Sequence, residues 1–218
     1  MSSETQTPAA VGLGDGAAYV EGYLPDDETL AAARGRAAEF GCEPLDQGCG
    51  ATLRFLATTL RARAVVEIGT GTGVSGLYLL RGMAEDGVLT TIDIEPEYHR
   101  AARRTFLDAG FAPGRMRLIM GQALDVLPRL TSGGYDLVFV DATRAEYPSY
   151  YEHAVHLLRP GGVLAFCGVL GGGRVHEQGR RDAETLALRE VARAIREDQR
   201  LVPALLPVGG GLLVAAHY

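Results

Sequence analysis

Val65-Val66-Glu67-Ile68-Gly69-Thr70-Gly71-Thr72-Gly73-Val74-Ser75 is a run of β-formers that stops at an acidic residue and turns through alternating glycines into a helical pattern. Glycine lacks Cβ, so it takes positive φ and lets the main chain approach a ligand, while the helix that follows offers unpaired N–H groups. About twenty residues on, Val88-Leu89-Thr90-Thr91-Ile92-Asp93 reads as a second strand ending in an acid, where a carboxylate is placed to accept both hydroxyls of a ribose. The two strand ends together describe a site for an adenosine-containing cofactor.

The surrounding pattern extends this unit into a sheet. Short β-rich runs at 64–68, 88–93, 116–119, 135–140 and 162–167 alternate with amphipathic helical stretches at 74–84, 96–109, 122–130, 148–158 and 181–197. Such alternation predicts an α/β fold, a parallel sheet covered on both faces. Arg159-Pro160-Gly161-Gly162 is expected to turn ahead of the fifth strand. The chain closes with two strand-like runs, 201–206 and 211–217, joined by a link too short for a crossover helix, so a terminal hairpin should bring in antiparallel pairing. Residues 1–16 read as a mobile tail and 17–218 as one domain, with helices over 26–60 ahead of the α/β core at 64–218.

Composition narrows the function classes. The 218 residues carry 27 acids against 21 bases, a net charge of −6, so there is no surplus of cations to displace the counterions of a nucleic acid. No apolar run reaches the roughly 20 residues that span a bilayer, and the start has neither the basic region nor the apolar stretch of a secretion signal. Cys42, Cys49 and Cys167 are odd in number and form no C-x-x-C pair, which suits reduced thiols in a cytoplasmic protein. The expected partner is a small molecule, with neither nucleic acid nor membrane. Every basic residue is arginine, and the chain contains no lysine and no asparagine. A lysine base or an asparagine ligand is thereby excluded.

Gly71-Thr72-Gly73-Val74-Ser75-Gly76 formally matches G-x-G-x-x-G, and with Asp93 it admits a nicotinamide-dependent dehydrogenase. Glu67 ahead of an extra glycine and the closing hairpin favour a methyltransferase that uses S-adenosylmethionine. The chain resembles the catechol and caffeoyl-CoA type of O-methyltransferase from about Tyr19 to its last strand. The pieces that carry the likeness are Glu67 to Ser75, Thr91-Ile92-Asp93, Gly121-Gln122-Ala123, Tyr135 to Ala142, Tyr147-Pro148-Ser149-Tyr150, Leu158 to Gly162 and Gly172-Gly173-Arg174-Val175. The resemblance implies a Rossmann-like class I fold with a seven-stranded mixed sheet and a homodimer. It places the 69–75 turn, with Gly69, Thr70, Gly71, Gly73 and Ser75, at the methionine part of the cofactor, Asp93 at the ribose, and Gln122 and Ala123 beside the adenine, and counts Glu67 among the cofactor-binding residues. Asp141 would border both cofactor and acceptor.

The metal and base positions depart from that family. Its members hold a divalent cation with an aspartate after the fourth strand and an Asp-Asn pair after the fifth; here Asp141 keeps the first position, and the pair has become Cys167 and Gly168. A hard cation wants several oxygen ligands, so no tightly held metal is expected. The lysine proposed as the family's base is Arg144 here, which keeps its proton at ordinary pH but can still pair with a carboxylate or phosphate. Asp141, Arg144 and, in a glycine-rich lid, His176 are the candidate catalytic residues. Tyr147 and Tyr150 share a helix face and either line the pocket or pack on the sheet. Leu45, Asp46, Gln47 and Leu170 are expected around the acceptor, with Gly171 opening the mouth. The expected activity is methyl transfer from S-adenosylmethionine to a hydroxyl of a small acceptor, aromatic ones included. The alternatives are a cofactor-binding but silent sensor or interaction subunit, and an NAD-dependent dehydrogenase.

Overall fold

The computed structural model describes residues 13–218. Seven strands, β1 (Ala64–Ile68), β2 (Val88–Asp93), β3 (Met116–Met120), β4 (Tyr135–Val140), β5 (Leu158–Phe166), β6 (Leu201–Leu206) and β7 (Leu212–His217), form one sheet in the order β3-β2-β1-β4-β5-β7-β6. The first five are mutually parallel, and β7 enters antiparallel between β5 and β6. The hairpin expected from the closing sequence is thus present. Its outer strand carries Pro203, tolerated at a sheet edge where a donor can be spared.

Strand parity splits the core between the two faces of the sheet. Val65, Leu137, Phe139 and Ala165 pack with Leu53, Leu77 and Phe106 on one face, whereas Val66, Ile68, Val138, Val140 and Phe166 pack with Tyr147, Leu188 and Val191 on the other. The first face is covered by α2 (Glu28–Glu39), α3 (Gln47–Thr59), α4 (Val74–Gly82) and α5 (Pro96–Asp108), and the second by α6 (Ala123–Val126), α7 (Tyr147–Leu157) and α8 (Ala183–Glu197). Parity puts Glu67 on the first face, fully buried beneath α4.

Three expectations shift in detail. Residues 1–12 of the expected tail lie outside the described residues, but 13–16 open a helix, α1 (Leu13–Gly22), so the boundary near 17 moves back. That helix docks on α3 through Glu21, whose carboxylate accepts the Gly48 N–H at 2.7 Å, a tertiary contact that local periodicity does not carry. The Arg159–Gly162 turn is absorbed into β5 as an irregularity: Tyr135 pairs with Leu158 but Leu137 with Val163. The helix expected over 122–130 is one short turn followed by a 3-10 turn at Leu127–Arg129, where Pro128 cannot continue an α-helix.

Candidate active site

The ladder hydrogen bonds continue beyond the strand ends and align the chemistry. Gly69 N–H donates to Ile92 O, Asp141 N–H to Ile68 O, Cys167 N–H to Val140 O and Gly121 N–H to Asp93 O, each at 2.9 Å. Gly121, Asp93, Gly69, Asp141 and Cys167 therefore form a row across the carboxyl ends of β3, β2, β1, β4 and β5. Chain order reverses between β1 and β4, the place where open α/β sheets bind ligands. A cleft of about 450 Å³ lies there, within the range of small-molecule and cofactor sites.

The glycine turn needs its first glycine. Gly69 has φ +97, and a Cβ there would stand 2.0 Å from the carbonyl oxygen of Asp141, so any side chain would separate β1 from β4. Asp93 then ties the turn down: its Oδ2 accepts the N–H groups of Thr70 at 2.9 Å and Gly71 at 3.0 Å, and Oδ1 accepts that of Glu95 at 3.0 Å. Each carboxylate oxygen has more than one acceptor direction, so the same group both shapes the turn and faces the cleft.

Below the turn lies a buried polar chain. Thr91 Oγ1 donates to Glu67 Oε2 at 2.6 Å, and Thr70 Oγ1 lies 2.7 Å from Thr91 Oγ1. Burial pushes the Glu67 carboxyl up to about 8, against the Ser75 and Thr91 hydroxyls that favour its charged form. Glu67 is fully buried and does not line the cleft, and neither does Gly73, which packs against Ala102 and Phe106. These two residues lie behind the turn, outside the lining of the cleft. Gly69, Thr70, Gly71, Ser75, Asp93, Gln122, Ala123 and Asp141 do line it.

Asp141 lines this cleft at the end of β4. Burial raises its carboxyl to about 6, with the Asp46 charge adding to the rise and the Arg144 guanidinium opposing it. Arg144 lines a smaller adjoining cavity together with Asp141 and Glu184. His176 does not join them; it is exposed at the end of a 3-10 segment, Gly171–His176. Arg189 of α8 holds that stretch by donating to Val175 O at 3.1 Å and Arg174 O at 3.4 Å, and the structure places the expected histidine base outside the lining of both cavities. Gly171 is buried with Leu188 2.9 Å from its Cβ position, and Leu170 packs on Gly211, so neither widens the mouth. Gln47 faces a separate groove beside Tyr23 and Phe55.

The two tyrosines divide the alternatives left by their spacing. Tyr147 is fully buried, donates to Cys167 O at 2.9 Å and packs on Phe166, while Tyr150 lines the cleft and donates to Glu146. Sequence reasoning missed Cys42, Glu43, Glu95, Tyr98 and Glu146 in the lining, and Glu184 beside Arg144. Glu95 and Tyr98 follow Asp93 closely enough to be found by proximity; Glu184, 40 positions from Arg144, gives no local signal.

The donor set at the β4 and β5 ends does not fit a divalent cation. Cys167 Sγ lies 3.7 Å from Cys49 Sγ, and that neighbour together with burial pushes the Cys167 thiol far above the usual range, keeping it neutral. Gly168 offers no side chain, and among the described residues no three His, Cys, Asp or Glu come together as a ligand set.

The O-methyltransferase family model matches residues 42–218. The chain belongs to the O-methyltransferase family. It is 52% identical over 200 residues, 92% of this chain and 89% of the other, to the "Probable O-methyltransferase Rv1220c" of Mycobacterium tuberculosis. Among solved structures, TomG of Streptomyces achromogenes, an O-methyltransferase of tomaymycin synthesis in complex with SAM, superposes with TM-score 0.84 at 30% identity over 92% of this chain and 95% of that one. The O-methyltransferase of Bacillus cereus in complex with SAH gives TM-score 0.84 at 27% identity, over 93% and 96%. The Rossmann-like class I fold expected for this O-methyltransferase is confirmed, and the dehydrogenase reading of its glycine turn falls away.

Proposed function

We propose that this O-methyltransferase transfers a methyl group from S-adenosylmethionine to a hydroxyl of a small acceptor, aromatic ones included, without a tightly held metal. The observation that carries the reading is the row of strand ends in which Asp93, tied to the glycine turn, and Asp141 flank a single cleft at the sheet's switch point. The cofactor fits this cradle: a turn held open by Gly69, a buried Ser75 in the first turn of α4 for a carboxylate, and an acid for a ribose. Gln122 and the buried Ala123 close the end assigned to the adenine. Bound there, S-adenosylmethionine supplies a methyl group on a sulfonium, a good leaving group.

The protein's own contribution is alignment and one proton. Holding an acceptor oxygen in line supplies up to about 7–11 kcal/mol in ideal cases. Asp141, with its carboxyl raised to about 6, is ionised at neutral pH yet basic enough to take the hydroxyl proton. Arg144 remains charged and does not serve as base. A catalytically silent sensor is the second reading, raised by Arg144, Cys167 and Gly168 at the altered positions. Incubating the pure protein with labelled S-adenosylmethionine and a panel of phenols, with and without chelator, separates the two: turnover in both conditions supports the enzyme, and strict magnesium dependence contradicts the metal-free reading.

We further infer a cytoplasmic homodimer with no nucleic-acid or membrane partner. Supporting this are the net charge of −6 and the absence, among the described residues, of any helix long and apolar enough to cross a membrane. The exposed Tyr19, Tyr23, Leu24 and Phe55 supply an apolar face for a second copy.

A further inference from the structure

The guanidinium of Arg144 rests on the backbone of Gly168 instead of extending into solvent. A Cβ on Gly168 would stand 2.8 Å from Nη2, 3.1 Å from Nε and 3.2 Å from Cζ of Arg144. Gly168 also has φ +67, so a side chain there would be strained as well as crowded, and the seat exists because residue 168 has none. From this seat Nη1 donates to Glu184 Oε1 at 3.1 Å, and the same oxygen accepts Arg174 Nη2 at 2.6 Å. Asp182 balances a further arginine, lying 2.9 Å from Arg180 and 3.8 Å from Arg174. Arg144, Arg174 and Arg180 therefore share Glu184 and Asp182, and Arg144 is the cation among the residues that line the adjoining cavity, beside Glu43, Asp141 and Glu184.

The free donors of Arg144 face the space beside Asp141. The Arg144 side chain is 39% exposed, and a guanidinium has five N–H donors, of which Glu184 uses few. Arg144 faces a cavity of about 420 Å³ shared with Asp141 and Glu43, and Asp141, Ala142, Thr143 and Glu43 also line the main cleft. Among the residues lining this space Arg144 is the group that attracts an anion, and Glu43, Asp141 and Glu184 oppose one. Asp141 makes no ion pair or hydrogen bond with Arg144, whose carboxylate partner is Glu184.

Resting on the methyltransferase reading above, we propose that Arg144 selects the acceptor by binding a carboxylate on it, so that the preferred substrates are hydroxylated aryl carboxylates whose hydroxyl points to Asp141. A guanidinium matches a carboxylate in a two-pronged arrangement that no neutral analogue reproduces. The test is calorimetric titration of the protein, first with S-adenosylhomocysteine and then, in its presence, with 3-hydroxybenzoate and with the neutral 3-hydroxybenzamide. The wild type should bind the carboxylate at least about tenfold more tightly than the amide, since hydrogen bonds between charged groups of this kind discriminate by that much. Arg144→Gln should erase the preference while still binding S-adenosylhomocysteine, and Gly168→Ala, which unseats the guanidinium but keeps the arginine, should reduce it. A preference that survives in Arg144→Gln, or no binding or no preference for the carboxylate in the wild type, overturns the proposal alone. Failure of S-adenosylhomocysteine to bind the wild type overturns the methyltransferase reading and this inference with it.

Discussion

Asp93 and Asp141 are both aspartates at the ends of parallel strands, yet their surroundings give them different work. Asp93 is surrounded by N–H donors, three of which it accepts, and its removal would release the glycine turn together with the ribose contact proposed for it. Hydrogen bonds to a charged group contribute about 1.5–3 kcal/mol each. Asp93→Ala should therefore weaken S-adenosylhomocysteine binding by at least about tenfold, read by calorimetry; unchanged affinity would exclude the ribose role. Asp141 is instead governed by burial, which lifts its carboxyl to about 6. As a proton acceptor it must be ionised, so kcat/KM should rise with pH through about 6 and level off above it. Asp141→Asn should lose that rise together with most of the rate, and a variant that kept both would place the base elsewhere.

At the scale of elements, the glycine turn, β1 and β2 are joined through the buried Thr70–Thr91–Glu67 chain. The folded state raises the Glu67 carboxyl from 4.5 to about 8, so between those values the native protein holds a proton that the unfolded chain has released. Its contribution to stability is complete below the unfolded value and is lost as pH rises through about 8. Urea midpoints measured across this interval should fall with rising pH, and Glu67→Gln, which keeps the shape and the Thr91 contact, should flatten the slope; an equally steep slope in the variant would refute the assignment. The element order was legible in the sequence because strand and helix periods alternate cleanly around the glycine turn and Asp93. Residues that meet the cleft from distant segments were not legible in this way. Glu43 arrives on the segment between α2 and α3, and Glu184 on α8, through tertiary packing that leaves no mark in local spacing. The bonds from Arg189 to the carbonyls of Arg174 and Val175, which fix the segment ahead of His176, are of the same kind.

The whole molecule combines a backbone cradle at the ends of β1 and β2 with a distinct set of side chains at the ends of β4 and β5. The cradle rests on backbone geometry, Gly69 and the N–H groups it frees, and that requirement shows directly as glycines in sequence. At the ends of β4 and β5 a bare Gly168, a neutral Cys167 thiol and the Arg144 guanidinium stand near Asp141. Sequence showed these three residues, and only the packing showed that Arg144 sits on Gly168. If a second copy covers the face formed by Tyr19, Tyr23, Leu24 and Phe55, sedimentation should report a species of twice the chain mass, and a species of one chain would contradict the homodimer.

The most direct test of the central claim is thermal unfolding of the metal-stripped protein in chelator, alone and with S-adenosylhomocysteine or NAD. A ligand at a hundredfold excess over Kd stabilises by about 2.7 kcal/mol, equivalent to roughly 5–10 °C in Tm for a chain of this size. A shift of that order with S-adenosylhomocysteine, absent with NAD and greatly reduced in Asp93→Ala, is the predicted result. No shift with S-adenosylhomocysteine, or an equal shift with NAD, would contradict the account.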